Sequence, residues 1–312
     1  MGISFKFVRM IESLYESTKS AVWNGHELST YFDTTSGVKQ GCLLSPLLFV
    51  LYINDLHEYL EGGIDIQERN IRILMYADDI VIMAEEIQIL QSMIHKLEEY
   101  CNMLNMEVNT SKSKIMVFRN GGRLSTQEKW YYKGQELDIV AEYAYLGAIF
   151  TPKLTFKSHV INRISQAKNA VNSTWKHFLK QDKISLQMKW KIYLAVCRSI
   201  EAYAAQVWGF AHFEEVDKFQ RFFLKRILKL PENTPNYVID LETNVDDGHK
   251  YTLQLHLQYI YRSLFEYNID RLPNFLSKIV LEKKIFWAKS VNDLLSQYGE
   301  ANLEVNTSNS MW

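Results

Sequence analysis

Residues 71–83 read IRILMYADDIVIM, and the architecture of the first half of the chain turns on this stretch. The apolar runs ILMY and IVIM flank Ala77-Asp78-Asp79, the pattern of two β-strands joined by a carboxylate-bearing turn. Both strands are expected to be buried. Successive strand side chains point to opposite faces, so adjacent carboxylates can approach one ion only at the turn itself. Ionised carboxylates in apolar company repel each other and lose hydration, and a bound Mg²⁺ would offset that cost. Phosphoryl transfer commonly uses two such ions about 4 Å apart. The plainer reading is that Asp is a good turn residue.

Upstream lies Ser36-Gly37-Val38-Lys39-Gln40-Gly41, followed by Ser45-Pro46. The glycines let backbone approach a bulky partner closely, and the Gln40 amide can donate and accept at once; a glycine turn leading into the next helix is the alternative. Ser45 is the expected N-cap of that helix and Pro46 its first residue, with Leu47, Leu51 and Leu56 as a buried stripe. Earlier still, Phe7, Ile11, Leu14 and Tyr15 recur at helical spacing, and residues 21–34 read as a short hairpin around Asn24-Gly25.

Downstream, Ile87, Leu90, Ile94, Leu97, Cys101 and Leu104 are spaced 3, 4, 3, 4 and 3, which keeps one helix face apolar. Further strands are expected at residues 114–118 and 143–150. After Thr151-Pro152 the pattern becomes helical, with Val160, Ile164, Ala167, Val171, Trp175 and Phe178 as one buried stripe and Lys176, His177 and Lys180 opposite it. The composition shift sets a domain boundary at 150/151.

Bulk properties narrow the class. Of 312 residues 47% are apolar and 13% aromatic, with only 13 Gly and 5 Pro, so an ordered chain is expected up to about Ser296. Cys42, Cys101 and Cys197 are odd in number and form no CxxC pair, which argues against a disulfide framework or zinc finger and for a reducing compartment. The apolar run at residues 43–53 is too short to cross a bilayer. Net charge is −1, yet residues 153–191 hold nine Lys/Arg and one acid, so that stretch carries +8 and the remainder −9. Lys218, Arg221, Lys225, Arg226 and Lys229 form a second basic run. Such segregation suits a phosphate-binding face and equally a pair of solvated helix faces.

The order SGVKQGCLLSPLLFVLYINDL, MYADD, MEVNTSKSKIMVF and YAYLGAIF resembles the palm of reverse transcriptases from non-LTR, LINE-type retrotransposons. The resemblance covers residues 1–180 well and the helical remainder less distinctively. It implies an α+β fold: a partial polymerase palm at residues 1–150, with a small antiparallel sheet and flanking helices, then an all-helical thumb and C-terminal region at 151–312. It implies Mg²⁺ or Mn²⁺ as cofactor, an RNA template, a DNA primer and deoxynucleoside triphosphates as partners, and an intracellular setting in nucleus or cytoplasm, with no membrane.

By the same resemblance Asp78 is a metal ligand and Asp79 its weaker neighbour, while Tyr76 and Ala77 shape the hairpin under the primer terminus. Gln40 and Gly41 lie near template and nucleotide. Lys112, in Asn109-Thr110-Ser111-Lys112, corresponds to a proposed proton donor to the departing pyrophosphate, although Lys114 stands close by. Tyr145-Leu146-Gly147 resembles the primer-grip hairpin.

The family takes a further metal-binding aspartate from an earlier strand, and a fingers region. Only 35 residues precede Ser36, and Asp33 does not match that carboxylate. A missing N-terminal polymerase region in a full-length protein is therefore expected, Met1 being an internal methionine or an exon boundary, and the isolated chain is expected to lack polymerase activity. Two other readings compete: a non-catalytic nucleic-acid-binding remnant that works through the basic helices, and a decaying remnant with no role, which would fold poorly.

Overall fold

The computed structural model describes residues 2–297. The expected loss of order after Ser296 falls almost wholly outside the described residues. By packing the chain forms two units, whose described residues are 2–115 with 123–138, and 116–122 with 139–297. Mixed helices and small antiparallel hairpins make the fold α+β.

In the first unit, α1 (Phe5–Tyr15) starts at Ser4, whose hydroxyl accepts from the Phe7 N–H. Strands β1 (Lys19–Ser20) and β2 (Phe32–Asp33) pair around the expected hairpin, whose Asn24 carbonyl oxygen Oδ1 accepts from the His26 and Glu27 amides. No residue from Gly2 to Leu44 is buried. Helix α2 (Ser45–Tyr52) corrects one expectation: Leu44 is its N-cap, and Ser45 is its first helical residue. The Ser45 hydroxyl donates back to the Lys39 carbonyl at 2.5 Å, so it is not available to cap. The expected stripe is also only partly buried. Leu47 is exposed, whereas Leu56, in the separate short helix α3 (Leu56–Tyr59), is fully buried.

Three hairpins follow in this unit: β3 (Ile64–Ile66) with β4 (Arg69–Ile71), β5 (Ile73–Tyr76) with β6 (Asp79–Ile82), and β7 (Tyr131–Tyr132) with β8 (Gln135–Glu136). Between the last two runs α4 (Ile87–Met103), the amphipathic helix of the 3,4 spacing. Its Met93 and Tyr100 meet Leu56 and Leu60 in a small core, with Ile73, Ile80 and Ile82 packed against it. The Gln91 amide of α4 both donates to and accepts from the Tyr131 backbone, which fastens β7 to the helix. The strand expected at 114–118 does not form. Only Ile115 makes a bridge there, through its N–H to the Asp138 carbonyl, because no extended partner runs alongside.

The second unit opens with β9 (Tyr143–Tyr145) and β10 (Ala148–Phe150), as expected at 143–150. Helix α5 (Lys157–Thr174) runs directly into a π-helical turn, Trp175–Leu179. Next come α6 (Leu186–Ile192), a π turn at Tyr193–Cys197, α7 (Arg198–Glu201), α8 (Ala205–Trp208), α9 (Phe213–Ile227), α10 (Asn236–Thr243) and α11 (Gly248–Tyr261). A third π turn, Arg262–Glu266, precedes α12 (Leu272–Glu282) and α13 (Trp287–Gln297). Val160, Ile164, Ala167 and Val171 join Trp208, Phe219 and Phe223 in the main core. Phe178, expected to be buried, is 38% exposed, and Leu179 takes its place in the core. The wider π turn advances the face by one residue, which a reading at constant α period cannot see.

Candidate active site

Residues Tyr76, Ala77, Asp78 and Asp79 share one turn. Tyr76 and Asp79 are paired in register across the β5–β6 ladder, leaving Ala77 and Asp78 as the two-residue connection. Ala77 has φ of 51°, the left-handed region that residues with a Cβ rarely enter. Tight two-residue connections require such backbone, and Ala there stores about 1 kcal/mol or more of strain.

The turn is not buried. Leu74, Met75 and Tyr76 are exposed, Tyr76 at 65%, and both carboxylates face solvent. The expectation of two buried strands is thus corrected: a two-stranded ribbon packs Ile73, Ile80 and Ile82 on α4 and leaves its other face uncovered within its unit. The demand for a counter-ion that burial would impose is removed with it. What remains is donor chemistry. Two adjacent hard oxygen donors, joined by no ion pair or hydrogen bond among the described residues, fit a hard divalent cation that keeps several waters of its own.

Gln40 and Gly41 lie in a separate turn. Gly41 has φ of 78° and Gly37 of 84°, so both use glycine's freedom. The turn is moored through Lys39, whose ammonium donates to the Leu14 carbonyl at 2.6 Å near the C-terminus of α1 and lies 5.3 Å from the Tyr15 ring centroid. Gln40 itself is exposed, and among the described residues no hydrogen bond joins it to Asp78 or Asp79. Lys112 is exposed in a turn where Asn109 Oδ1 accepts from the Lys112 N–H and the Ser111 hydroxyl. Lys114 is committed to Asp138 at 2.7 Å.

Tyr145, Leu146 and Gly147 belong to the second unit, at the β9–β10 connection. Leu146 and Gly147 both have positive φ, 47° and 76°, as the tightest hairpin turn requires. Three residues that the sequence reading passed over hold this turn: His159 and Arg163 of α5, and Tyr203. No local motif marks them, because the contacts span up to 57 residues.

The basic stretches are less available than their count suggests. Lys189 is 3% exposed, and Lys229 pairs with Asp182 at 2.5 Å. Lys218 pairs with Glu214 and Arg221 with Asp247, while Arg226 lies 4.1 Å from the Trp175 ring centroid. Lys153, Lys157, Lys176, Lys180, Lys183 and Lys191 are exposed.

The described residues also hold one mixed cluster with ligand-like spacing, Asp217, Asp247 and His249, whose donor atoms lie within 4.8 Å of one another. Its donors are already engaged. Asp217 accepts from the His249 backbone N–H at 2.9 Å and pairs with His249 Nδ1 at 2.7 Å, and Asp247 accepts from Arg221 at 3.0 Å. The cluster sits at the N-terminus of α11, where the helix dipole opposes a cation, so it caps that helix from α9.

Residues 3–150 match the family described as reverse transcriptase (RNA-dependent DNA polymerase). The RNA-directed DNA polymerase from mobile element jockey of Drosophila funebris is 26% identical over 238 residues, 73% of this chain and 26% of that protein. The polymerase from transposon X-element of Drosophila melanogaster, named a probable one, is 23% identical over 260 residues, 79% of this chain and 28% of its own length. A transposon-derived protein of Caenorhabditis elegans is 37% identical over 83 residues, a quarter (25%) of this chain. With their glycine-bounded glutamine and tandem aspartates, residues 3–150 form a domain of the reverse transcriptase family. Within that family its relatives mark it as the kind carried by non-LTR retrotransposons. The alignments of 238 and 260 residues exceed the family segment, so they include part of the helical unit. The chain spans about a quarter (26% and 28%) of the length of these two relatives.

Proposed function

We propose that this chain contributes the palm and thumb of an RNA-directed DNA polymerase. In this reading deoxynucleotides are added to a DNA primer on an RNA template, inside the cell, in nucleus or cytoplasm. Asp78 and Asp79 would hold Mg²⁺ or Mn²⁺, with Asp78 the stronger ligand. When bound, such an ion activates the attacking hydroxyl and stabilises the departing phosphate oxygens. The chain's own groups surround that step. Gln40 and Gly41 pack against template and nucleotide, Tyr76 and Ala77 support the primer terminus, and Lys112 donates a proton to the leaving pyrophosphate. Tyr145, Leu146 and Gly147 hold the primer, and the helical unit serves as thumb.

One observation carries the reading: the family match over residues 3–150 includes tandem aspartates at an exposed hairpin tip whose Ala77 is held in the left-handed region. The turn's left-handed backbone is what a two-residue connection requires, and it sets the two carboxylates side by side at the tip. No helix of the described residues is long and apolar enough to cross a membrane.

The test is a Mn²⁺ titration of the chain followed by NMR. Resonances of residues 75–80 are expected to broaden first in the wild type and to stay sharp in the Asp78→Asn/Asp79→Asn double variant. Equal broadening in both would end the metal assignment.

A further inference from the structure

An isolated two-stranded hairpin is marginally stable in water. The β9–β10 hairpin is nevertheless fixed at its tip, and the groups that fix it all lie in the helical unit. In its antiparallel ladder Ala148 faces Tyr145 and Ile149 faces Ala144, so alternate backbone groups of β10 point away from β9 to an open edge. The Ile149 N–H is satisfied by Nδ1 of His159, at 3.2 Å. The other ring nitrogen, Nε2–H, donates to the Tyr203 carbonyl at 3.0 Å, which sets the tautomer. His159 is fully buried, and burial holds its imidazole below the ordinary value, with Arg163 acting the same way and the Tyr203 carbonyl opposing.

The turn itself is gripped from two further sides. The Tyr203 hydroxyl donates to the Leu146 carbonyl at 2.7 Å, and the Arg163 guanidinium donates to the Gly147 carbonyl. Arg163 is stacked 4.2 Å from the Tyr203 ring centroid, so the two donors brace each other. Behind the turn, the Ser158 hydroxyl donates to Glu142 at 2.6 Å. With its backbone oriented this way, Leu146 remains exposed at the tip. Stability alone does not call for two charged or aromatic donors on the carbonyls of one solvent-facing turn. Such bracing is what a contact to an external group needs, because supporting hydrogen bonds decide whether the contacting residues hold position.

We propose that His159, Arg163 and Tyr203 are positioning residues that fix the Tyr145-Leu146-Gly147 hairpin against the 3′ terminus of a nucleic-acid primer. The role rests on the reading above, in which this hairpin holds the primer. None of the three touches the reacting atoms. They act by holding the turn's backbone while Leu146 meets the terminal nucleotide.

The test uses the 312-residue chain and an RNA/DNA hybrid with a recessed DNA 3′ end that carries 4-thiothymidine as its last nucleotide. On irradiation the wild type is expected to crosslink at residues 143–150. Tyr203→Phe, which deletes one hydroxyl at a half-exposed site, and Arg163→Gln should each lower that crosslink about tenfold, less than the roughly hundredfold that a 1 Å misplacement can cost in aligned systems. Total hybrid affinity at fixed salt should change by less than about twofold, because the backbone-phosphate contacts are kept. Undiminished crosslinking in both variants, beside a wild type that crosslinks there, overturns the positioning role and leaves the reading of the hairpin standing. A wild type that gives no crosslink at the hairpin overturns that reading and the positioning role together. A parallel fall in total affinity also overturns it, since the residues would then be ordinary hybrid contacts.

Discussion

Tyr193 donates its phenolic proton to Glu201 across 2.9 Å in the interior of the helical unit. Glu201 is 1% exposed, and its second carboxylate oxygen has no hydrogen-bond partner among the described residues. Arg198, on the same short helix, turns instead to Gln220 at 3.2 Å and stacks among Trp190, Tyr193 and Tyr251. A carboxyl so placed is easier to bury neutral than charged. Burial pushes Glu201 up to about 8, against the Tyr193 bond and Arg198, with Asp217 adding to the rise.

A pH dependence follows from that burial. Because the folded value of Glu201 exceeds its ordinary 4.5, its contribution to stability is fully present below pH 4.5 and is lost as pH rises through about 8. His159 and His256 act oppositely, since burial lowers both; their contribution is present above pH 6.5 and is lost as pH falls below it. The histidine slope fades only about a unit above pH 6.5, so between about pH 7.5 and 8 the Glu201 slope dominates, up to about 1.4 kcal/mol per pH unit. Urea denaturation across that window should show wild-type stability falling with pH and a flat line for Glu201→Gln. A flat wild-type line would contradict the buried neutral carboxyl.

Asp217 joins α9 to the start of α11 through two bonds to His249. Asp217→Ala removes the capping acceptor and leaves the His249 N–H unpaired, and should lower stability by about 2 kcal/mol. Zn²⁺ added to the wild type should leave its melting temperature where EDTA leaves it. A rise of several degrees on Zn²⁺ addition would show that the cluster binds metal rather than capping the helix.

The π turn after α5 predicts a reversal of what constant helical spacing would give. Leu179→Ala, at a fully buried site, should cost about 2–5 kcal/mol, whereas Phe178→Ala, at a half-exposed one, should cost less than about 1 kcal/mol. Denaturant midpoints of the two variants measure the difference, and the opposite order would place the apolar face where a continuous α-helix puts it.

What was legible in the sequence was the periodic part. The 3,4 spacing from Ile87 to Leu104 marks α4, and the apolar runs on either side of Asp78-Asp79 give β5, β6 and their turn. Burial was not legible at that hairpin, since strand pattern tells which residues are apolar and not what covers them. The Ser45 cap failed for a different reason: its hydroxyl has a long-range partner in the Lys39 carbonyl, which competes with the local one. The tandem aspartates and glycine-bounded glutamine stood out because their chemistry is local. His159, Arg163 and Tyr203 did not, because their partners on the hairpin are backbone carbonyls and an N–H, which leave no trace in residue type.

Gly147 and Gly134 offer a controlled measure of how tightly the β9–β10 turn is held. Their backbones are nearly the same, with φ of 76° and 75°, and each ends a two-residue hairpin connection. Their surroundings differ. Among the described residues a Cβ at Gly134 would meet nothing within 4 Å, whereas one at Gly147 would lie 3.0 Å from the Tyr203 ring and 3.1 Å from the Arg163 guanidinium. Gly134→Ala therefore carries only the conformational penalty of the left-handed region, about 1 kcal/mol. Gly147→Ala carries that penalty and must also displace Tyr203 or Arg163, breaking a hydrogen bond to the turn, and should cost about 1–2 kcal/mol more. Amide exchange at residues 145–149 should rise in Gly147→Ala and stay unchanged in Gly134→Ala. If the two alanine variants are equally stable, the tip is not braced as the distances indicate.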